Sequence, residues 1–329
     1  MINVGDIGGT KSQFQIFNNH HTSGQFVSFE NRNFESVDLL LDRLPIQPKS
    51  PDVTACYLAV AGPVKNNTCT MTNLNWLIDG KTITSRYPGA EVKIINDLEA
   101  TALSIPYLEE RDVHFIQGKC ITPFENISVL SVGTGLGQAT LTMNKESKLP
   151  PCAITGEGGH CDFAPHTSLE LELLHYIWKQ NQSDNNKQPV CLEQLISGQG
   201  LPSILNFFKH TTNNYELQND PLPNANINAE ILRLADTDPN SIYRKTVDLF
   251  LDLIANELGN MALRTLSRGG AIVAGGMAPR ILPFINQVRF LSRFSDKDTF
   301  SSLLKTFPVA FCLNPKAPLI GLYSRYACL

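Results

Sequence analysis

Apolar and polar positions alternate with a period of two near the start of the chain. Phe14-Gln15-Ile16-Phe17 and Gln25-Phe26-Val27-Ser28-Phe29 therefore predict strands of a meander. Cys56-Tyr57-Leu58-Ala59-Val60 and Val92-Lys93-Ile94-Ile95-Asn96 are short apolar runs expected as strands buried on both faces. A second α/β stretch begins near Val113, with strands expected at Ile127–Val132 and Ala139–Met143 on either side of a glycine loop. Thr167–Lys179 predicts a helix, with a capping box of Thr167 and Glu170 and apolar contacts from Leu171, Leu174, Tyr176 and Trp178. Helical spacing of Val247, Phe250, Leu251, Ile254, Leu258 and Met261 predicts a long helix over Asn240–Leu266. A strand at Ala271–Ala274 ends in Gly275-Gly276 before a helix near Pro279; the last strand is Val309–Leu313 and the last helix about Leu319–Ala327. Residues 181–189 and 211–227, rich in Asn, Gln and Pro, read as exposed loops. No fixed-period repeat is visible, but a strand–glycine–helix pattern recurs near residues 5, 133 and 275.

This pattern describes a mixed α/β protein, and its 329 residues suit two lobes rather than one small core. Hydrophobic residues make up 42% and charged residues 18%, which separates the chain from disordered sequences. A net charge of −4 without a Lys/Arg block gives no electrostatic case for nucleic acid or an anionic membrane. No apolar run reaches membrane-spanning length, and Met1–Asp6 lacks the basic start and apolar core of a signal peptide. The 8 cysteines are scattered with no CxxC pair, so reduced thiols in a cytoplasm are expected rather than a zinc module or a disulfide framework.

Three glycine clusters carry the candidate chemistry. Gly5-Asp6-Ile7-Gly8-Gly9-Thr10-Lys11 follows an apolar strand; its glycines leave backbone N–H groups open to an anion, and Thr10 adds a hydroxyl. Asp6 suits Mg²⁺ held through water. A plain β-hairpin turn explains the same residues equally well. Gly133-Thr134-Gly135-Leu136-Gly137 lies between two strands, so it is neither a dinucleotide fingerprint nor a Walker loop, and alone it reads as a tight hairpin. Gly275-Gly276 would let a flat ring approach the backbone, although helix–strand packing accounts for the pair too. Backbone cradles with Mg²⁺ are what phosphoryl transfer requires, and three such loops in one chain carry the case.

Acidic and polar residues accompany the loops. Asn96-Asp97 ends a strand, where ligand sites of α/β sheets lie, and Asp97 reads either as the N-cap of the helix Leu98–Ile105 or as a base for a hydroxyl proton. Gly156-Glu157-Gly158-Gly159-His160 offers an acceptor and a donor for sugar hydroxyls. A metal site with Cys161 and Asp162, or a surface pair, would use the same residues. Glu193, by pattern alone, is a solvent-facing helix residue.

Together with Ala61-Gly62-Pro63, Met71-Thr72-Asn73-Leu74-Asn75-Trp76, Ile95-Asn96-Asp97, Ser197-Gly198 and Ala274-Gly275-Gly276, these motifs resemble, in order and spacing, the bacterial-type glucokinases of the actin/hexokinase/heat-shock ATPase superfamily. The resemblance implies a two-lobed ribonuclease-H-like/actin-like fold with a cleft. A small α/β lobe would span 1–108 plus 314–329, and a larger α+β lobe 109–313, closing over the sugar. It implies ATP, Mg²⁺ and glucose as ligands, glucose 6-phosphate as product, and a homodimer. Gly5, Asp6, Ile7, Gly8, Gly9 and Thr10 would form one phosphate loop and Gly133 with Thr134 a second. Gly135 would lie near the sugar, and Gly275 and Gly276 beside adenosine. Asn96, Asp97, Glu157, His160 and Glu193 would hold hexose hydroxyls, with Asp97 the base toward the 6-hydroxyl.

Three features depart from that family pattern. Glu99 stands where a small or hydroxylic residue is usual, and if buried it would raise the Asp97 carboxyl. The loop Leu141–Pro151 is slightly long, and Asn314–Pro318 lacks expected glycines. The cysteine-rich zinc motif of the repressor/open-reading-frame/kinase group is missing, and no helix-turn-helix precedes Gly5. Another hexose, another phosphoryl donor such as polyphosphate, or a non-catalytic sensor on the same fold are the competing expectations.

Overall fold

The computed structural model describes residues 1–17, 25–71, 73–143, 150–183, 188–212 and 226–327. Thr72, His20, His21, Cys328 and the centres of the expected loops 141–151, 181–189 and 211–227 lie outside them. The chain divides into two compact units, Met1–Glu109 with Glu146–Ile154 and Asn314–Leu329, and Glu110–Lys145 with Thr155–Leu313.

In the first unit the strands are β1 (Ile2–Ile7), β2 (Lys11–Phe17), β3 (Gln25–Glu30) and β4 (Ala55–Val60). After them come β5 (Val64–Lys65), β6 (Thr68–Met71), β7 (Trp76–Asp79) and β8 (Glu91–Asn96). The main sheet runs β3-β2-β1-β4-β8. β1 and β2 form an antiparallel hairpin, whereas β1, β4 and β8 are parallel. β4 is an interior strand and wholly buried, as its apolar run predicts. β8 is an edge strand, so only Ile94 and Ile95 are buried and the expectation of two covered faces fails there. The sheet β5-β6-β7 went unpredicted, its strands being too short to show a period. Helix Asp97–Ser104 follows β8 directly, and the helix Ala317–Leu322, continued by a π-helix over Tyr323–Ala327, lies on it. A Cβ on Gly321 would sit 1.9 Å from the Ala100 carbonyl oxygen, so the contact runs backbone to backbone.

The second unit carries β9 (Val113–Gln117), β10 (Ile127–Val132), β11 (Leu136–Thr142), β12 (Cys152–Gly156), β13 (Gly270–Ala274) and β14 (Val309–Cys312). Their order is β12-β11-β10-β13-β14-β9. Here too a hairpin, β10–β11, precedes two parallel strands, β13 and β14. The run β12-β11-β10-β13-β14 thus repeats the plan of β3-β2-β1-β4-β8, a duplication of topology that no sequence period discloses. The recurring strand–glycine–helix pattern holds only at Gly275; the first two glycine clusters join strand to strand.

The long helix Ile242–Thr265 is buried over most of its circumference and packs on β10 and β13. Each large aliphatic side chain buried there, such as Val247 or Ile254, contributes about 1.5–3 kcal/mol. Helices Gly200–Thr211, Ile227–Thr237 and Gln287–Ser295 pack around it, none of them expected from the sequence. Asp252 receives Arg289 in bidentate fashion at 2.9 and 2.7 Å, pinning the last of these helices. Helix Ser168–Ser183 forms where expected, but Leu173 and Ile177 face the core while Leu171 and Trp178 face solvent. The predicted capping box is half made. Thr167 Oγ1 accepts the Glu170 N–H at 3.2 Å, but the Glu170 carboxylate turns to the His166 N–H and to Arg293.

Candidate active site

In the first unit the motif residues gather at the carboxyl ends of the parallel strands. Ile7 is level with Val60, and Val60 with Asn96, so Asp6, Ala61-Gly62 and Asn96-Asp97 share one edge. Asn96, not Asp97, is the N-cap of helix Asp97–Ser104: its Oδ1 accepts the N–H groups of Leu98 and Glu99 at 3.0 and 3.3 Å. Its Nδ2 donates to the Gly62 carbonyl at 3.1 Å, tying two motifs together. Asp97 occupies the first helical position, where its Oδ1 shares the Leu98 N–H at 2.9 Å.

The two carboxylates of this edge are electrostatically coupled. Burial lifts the Asp97 carboxyl above its ordinary range, against opposing hydrogen bonds from Leu98, its own N–H and the Asn96 side chain. Burial, with the Asp97 charge second, pushes Asp6 up to about 7. Glu99 plays no part in the Asp97 shift, contrary to expectation. It is itself raised by burial, and it lies within electrostatic reach of Lys93 and Arg325.

The first glycine cluster is a hairpin turn between β1 and β2. Gly8 N–H donates to Lys11 O at 3.1 Å. Gly5 and Ile7 do not reach the turn's surface: both are buried inside β1, and a Cβ on Gly5 would strike Phe14 at 2.5 Å and Leu58 at 2.8 Å. Their role is packing, because strand pairing and the β2 aromatic occupy the space a ligand would need. Gly8, Gly9 and Thr10 form the accessible turn. A residue with no glycine or acid signature braces it: buried Asn31 donates from Nδ2 to Gly8 O at 2.7 Å and accepts Ser12 Oγ–H at 2.7 Å. Its own N–H donates to Thr10 O at 2.9 Å. Asn73 Nδ2 approaches Gly9.

In the second unit the motifs assemble around the β10–β11 turn. Gly133, Thr134 and Gly135 form that turn; Leu136 and Gly137 already belong to β11. Gly198 N–H donates to Gly133 O at 2.7 Å. Glu193 stands on a 3₁₀ turn, Leu192–Gln194, rather than on a solvent-facing helix. Its Oε2 accepts the Leu136 N–H at 2.8 Å and would lie 2.5 Å from a Cβ on Gly135. Only glycine leaves that carboxylate in place. Gly275 has φ of +88°, and its Cα faces the Val132 carbonyl, where a Cβ would come within 2.5 Å. The neighbouring Gly276 has open space beside it, so of this pair only Gly276 leaves room for a flat ring.

Glu157 and His160 are exposed and bracket a 3₁₀ turn, Gly158–His160, held by the His160 N–H on Glu157 O at 3.0 Å. Leu192 N–H on Cys161 O at 3.0 Å and Phe163 N–H on Val190 O at 2.8 Å join this segment to the turn bearing Glu193. Glu157, His160, Glu193 and Gly135 are therefore fixed to one strand turn. Among the described residues no three His, Cys, Asp or Glu converge as metal ligands, so the His160-Cys161-Asp162 metal reading fails.

A family model described as Glucokinase matches residues 4–327. A glucokinase of Nostoc punctiforme is 30% identical over 339 residues, covering 97% of this chain and 96% of that protein. A glucokinase of Synechocystis is 34% identical over 280 residues, covering 81% and 77%. A crystal structure of glucokinase from an Antarctic psychrotroph superposes with a TM-score of 0.79 at 27% identity, covering 100% of this chain and 99% of that one. A glucokinase of the ROK family from Streptomyces griseus, solved with glucose and AMPPNP, shares the fold at a TM-score of 0.61 and 18% identity, covering 98% of each chain. No helix among the described residues is long and apolar enough to cross a membrane. The expected α/β, actin-like ATPase fold is thus the one observed, and the chain belongs to the glucokinase family.

Proposed function

We propose that this chain transfers the γ-phosphoryl group of ATP to the 6-hydroxyl of D-glucose, with Asp97 as general base, giving glucose 6-phosphate and ADP for the first step of sugar breakdown. The observation that carries the base assignment is that Asn96 has taken over the helix cap, leaving Asp97 at the strand end with a carboxyl raised by burial. Raising a carboxyl makes its carboxylate a stronger base toward a hydroxyl proton, and a positioned general base is worth about 10²–10⁴ in rate. As the O6–P bond forms and the bond from the γ-phosphorus to ADP breaks, the hydroxyl proton passes to a carboxylate oxygen of Asp97.

The remaining residues orient and neutralise. Backbone N–H groups of Gly9, Thr10 and Thr134 serve the phosphates, those of Gly8 and Gly133 being spent on Lys11 O and Gly135 O, and Gly276 serves the adenosine. Asn96, Glu157, His160, Glu193 and the backbone at Gly135 serve the hexose hydroxyls. Glu193 already spends one oxygen on Leu136, so its other oxygen is the one that meets sugar.

Asp6 fits Mg²⁺. A carboxyl held protonated to about pH 7 by burial and a neighbouring acid is one that a cation would ionise. Asp6 would hold the ion through water, and the ion would supply neutralisation of the phosphate charge. The family likeness further supports a homodimer in a cytoplasmic setting, which light scattering and fractionation would test.

Asp97→Asn in an ADP-release assay tests the assignment. Turnover should fall at least a hundredfold while calorimetry still detects glucose binding. Turnover within a few-fold of the parent would refute it.

A further inference from the structure

Glu257 is a buried carboxylate in the middle of the long helix Ile242–Thr265, and none of the roles above uses it. Its Oε1 accepts Arg264 Nη1 at 2.9 Å and Gln138 Nε2 at 3.0 Å, and its Oε2 accepts Asn260 Nδ2 at 2.9 Å. An ionised carboxylate only accepts hydrogen bonds. The amide of Gln138 must therefore present its nitrogen to Glu257 and its oxygen to the opposite side. That oxygen abuts Gly158, occupying the place where a Cβ would stand, 2.3 Å away. The next residue, Gly159, lies as tightly on β11, where a Cβ would meet Leu136 O at 2.4 Å. The turn between Glu157 and His160 is thereby seated on β11 at two consecutive residues, and the Gln138 contact is set by a charge on a helix.

We propose that Gln138 is a positioning residue for hexose binding, oriented by Glu257, and that the pair fixes the turn from which Glu157 and His160 reach the sugar. The inference rests on the reading of Glu157 and His160 as hexose contacts. Neither Gln138 nor Glu257 touches substrate. Their effect is expected on the sugar side, because the Gly8–Thr10 turn is held by Asn31 and the Gly133–Thr134 turn by the Gly198 N–H on Gly133 O.

Kinetics with glucose and ATP varied separately test it. Gln138→Leu should raise the glucose KM about tenfold, the scale of one hydrogen bond to a charged group, with the ATP KM unchanged. Gln138→Glu sets two carboxylates face to face and should do at least as much. Combining it with Glu257→Gln restores one acceptor and one donor, and should bring the glucose KM back to within about threefold of the parent. A general packing defect would shift both KM values and would not be rescued by the swap. Equal changes in the two KM values, or no rescue, overturn the proposal. Glu157→Gln serves as the control. If it raises the glucose KM while Gln138→Leu does not, the positioning role is wrong and the sugar reading stands. If Glu157→Gln leaves the glucose KM unchanged, the sugar reading fails and the proposal with it.

Discussion

Replacing Asp6 by asparagine is expected to stabilise the unliganded protein above neutrality while destroying turnover. Asp6 is raised from 3.8 to about 7, first by burial and then by the Asp97 charge. Between those values the folded state holds a proton that the unfolded state has released. Stability from this group is complete below pH 3.8 and is lost as pH rises through about 7. Over the whole interval the loss is at most about 4 kcal/mol, at about 1.4 kcal/mol for each pH unit. Between pH 5 and pH 8 it is about 3 kcal/mol. An asparagine has no proton to lose, so the variant lacks this slope. Urea unfolding of both proteins without ligands, at half-unit steps from pH 4.5 to 8.5, measures the difference. The gap should widen with pH in favour of Asp6→Asn and level off above about 8. A gap constant across that range, or a variant less stable at pH 8 than the parent, would show that Asp6 is not held protonated. With ATP and Mg²⁺ added the order should invert, since the parent alone keeps the carboxylate.

Further outcomes follow from single contacts. Asn31→Ala removes both side-chain hydrogen bonds under the Gly8–Thr10 turn and should cost about 1–3 kcal/mol, seen as a raised ATP KM with the glucose KM little changed in steady-state kinetics. Gly135→Ala drives a methyl group into the Glu193 carboxylate and should lower kcat/KM for glucose by more than tenfold, checked with the fold monitored by circular dichroism. Glu99→Gln should leave the acid limb of the kcat–pH profile in place, because burial and not Glu99 raises Asp97. A shift of half a unit or more would contradict that cause.

Elements long or uniform enough to show a period were legible in the chain: β4, β10, β13 and the helix Ile242–Thr265. The glycine clusters were legible too, because a turn that must stay open needs glycine whatever surrounds it. Helix Gly200–Thr211 was not, since it opens on Gly-Leu-Pro and the neighbouring loop signals masked its apolar face. What Asn31, Gln138 and Glu193 brace was hidden for another reason. Each pairs with a group far away in sequence: Asn31 is 23 residues from Gly8, Glu193 is 57 from Leu136, and Gln138 is 119 from Glu257. Local propensity carries no trace of such pairings. Asp97 was placed one residue from its cap, because Asn and Asp compete for that position and only the fold decides between them.

The duplicated sheet plan gives the bracing residues a common meaning. In each unit a hairpin turn, Gly8–Thr10 or Gly133–Gly135, closes the antiparallel pair beside the parallel strands. A glycine turn is the costliest backbone to order, because glycine has the most conformational freedom to lose. Each turn is held by a polar side chain from a later segment, Asn31 on the Gly8 carbonyl and Glu193 on the Leu136 N–H. Neither bond uses the N–H groups of Gly9, Thr10 or Thr134, so these can be ordered before any phosphate arrives. An anion bound there need not then supply the ordering free energy, and more of its binding reaches the transition state. The chemistry of the two braces differs in a way that suits their ligands. A neutral amide stands behind the turn nearest Asp6, where a further negative charge would oppose both the carboxylate pair and an incoming phosphate. A carboxylate holds the Gly135–Leu136 side of the second turn, the side proposed to face hexose hydroxyls, and not the Gly133–Thr134 side proposed for phosphate.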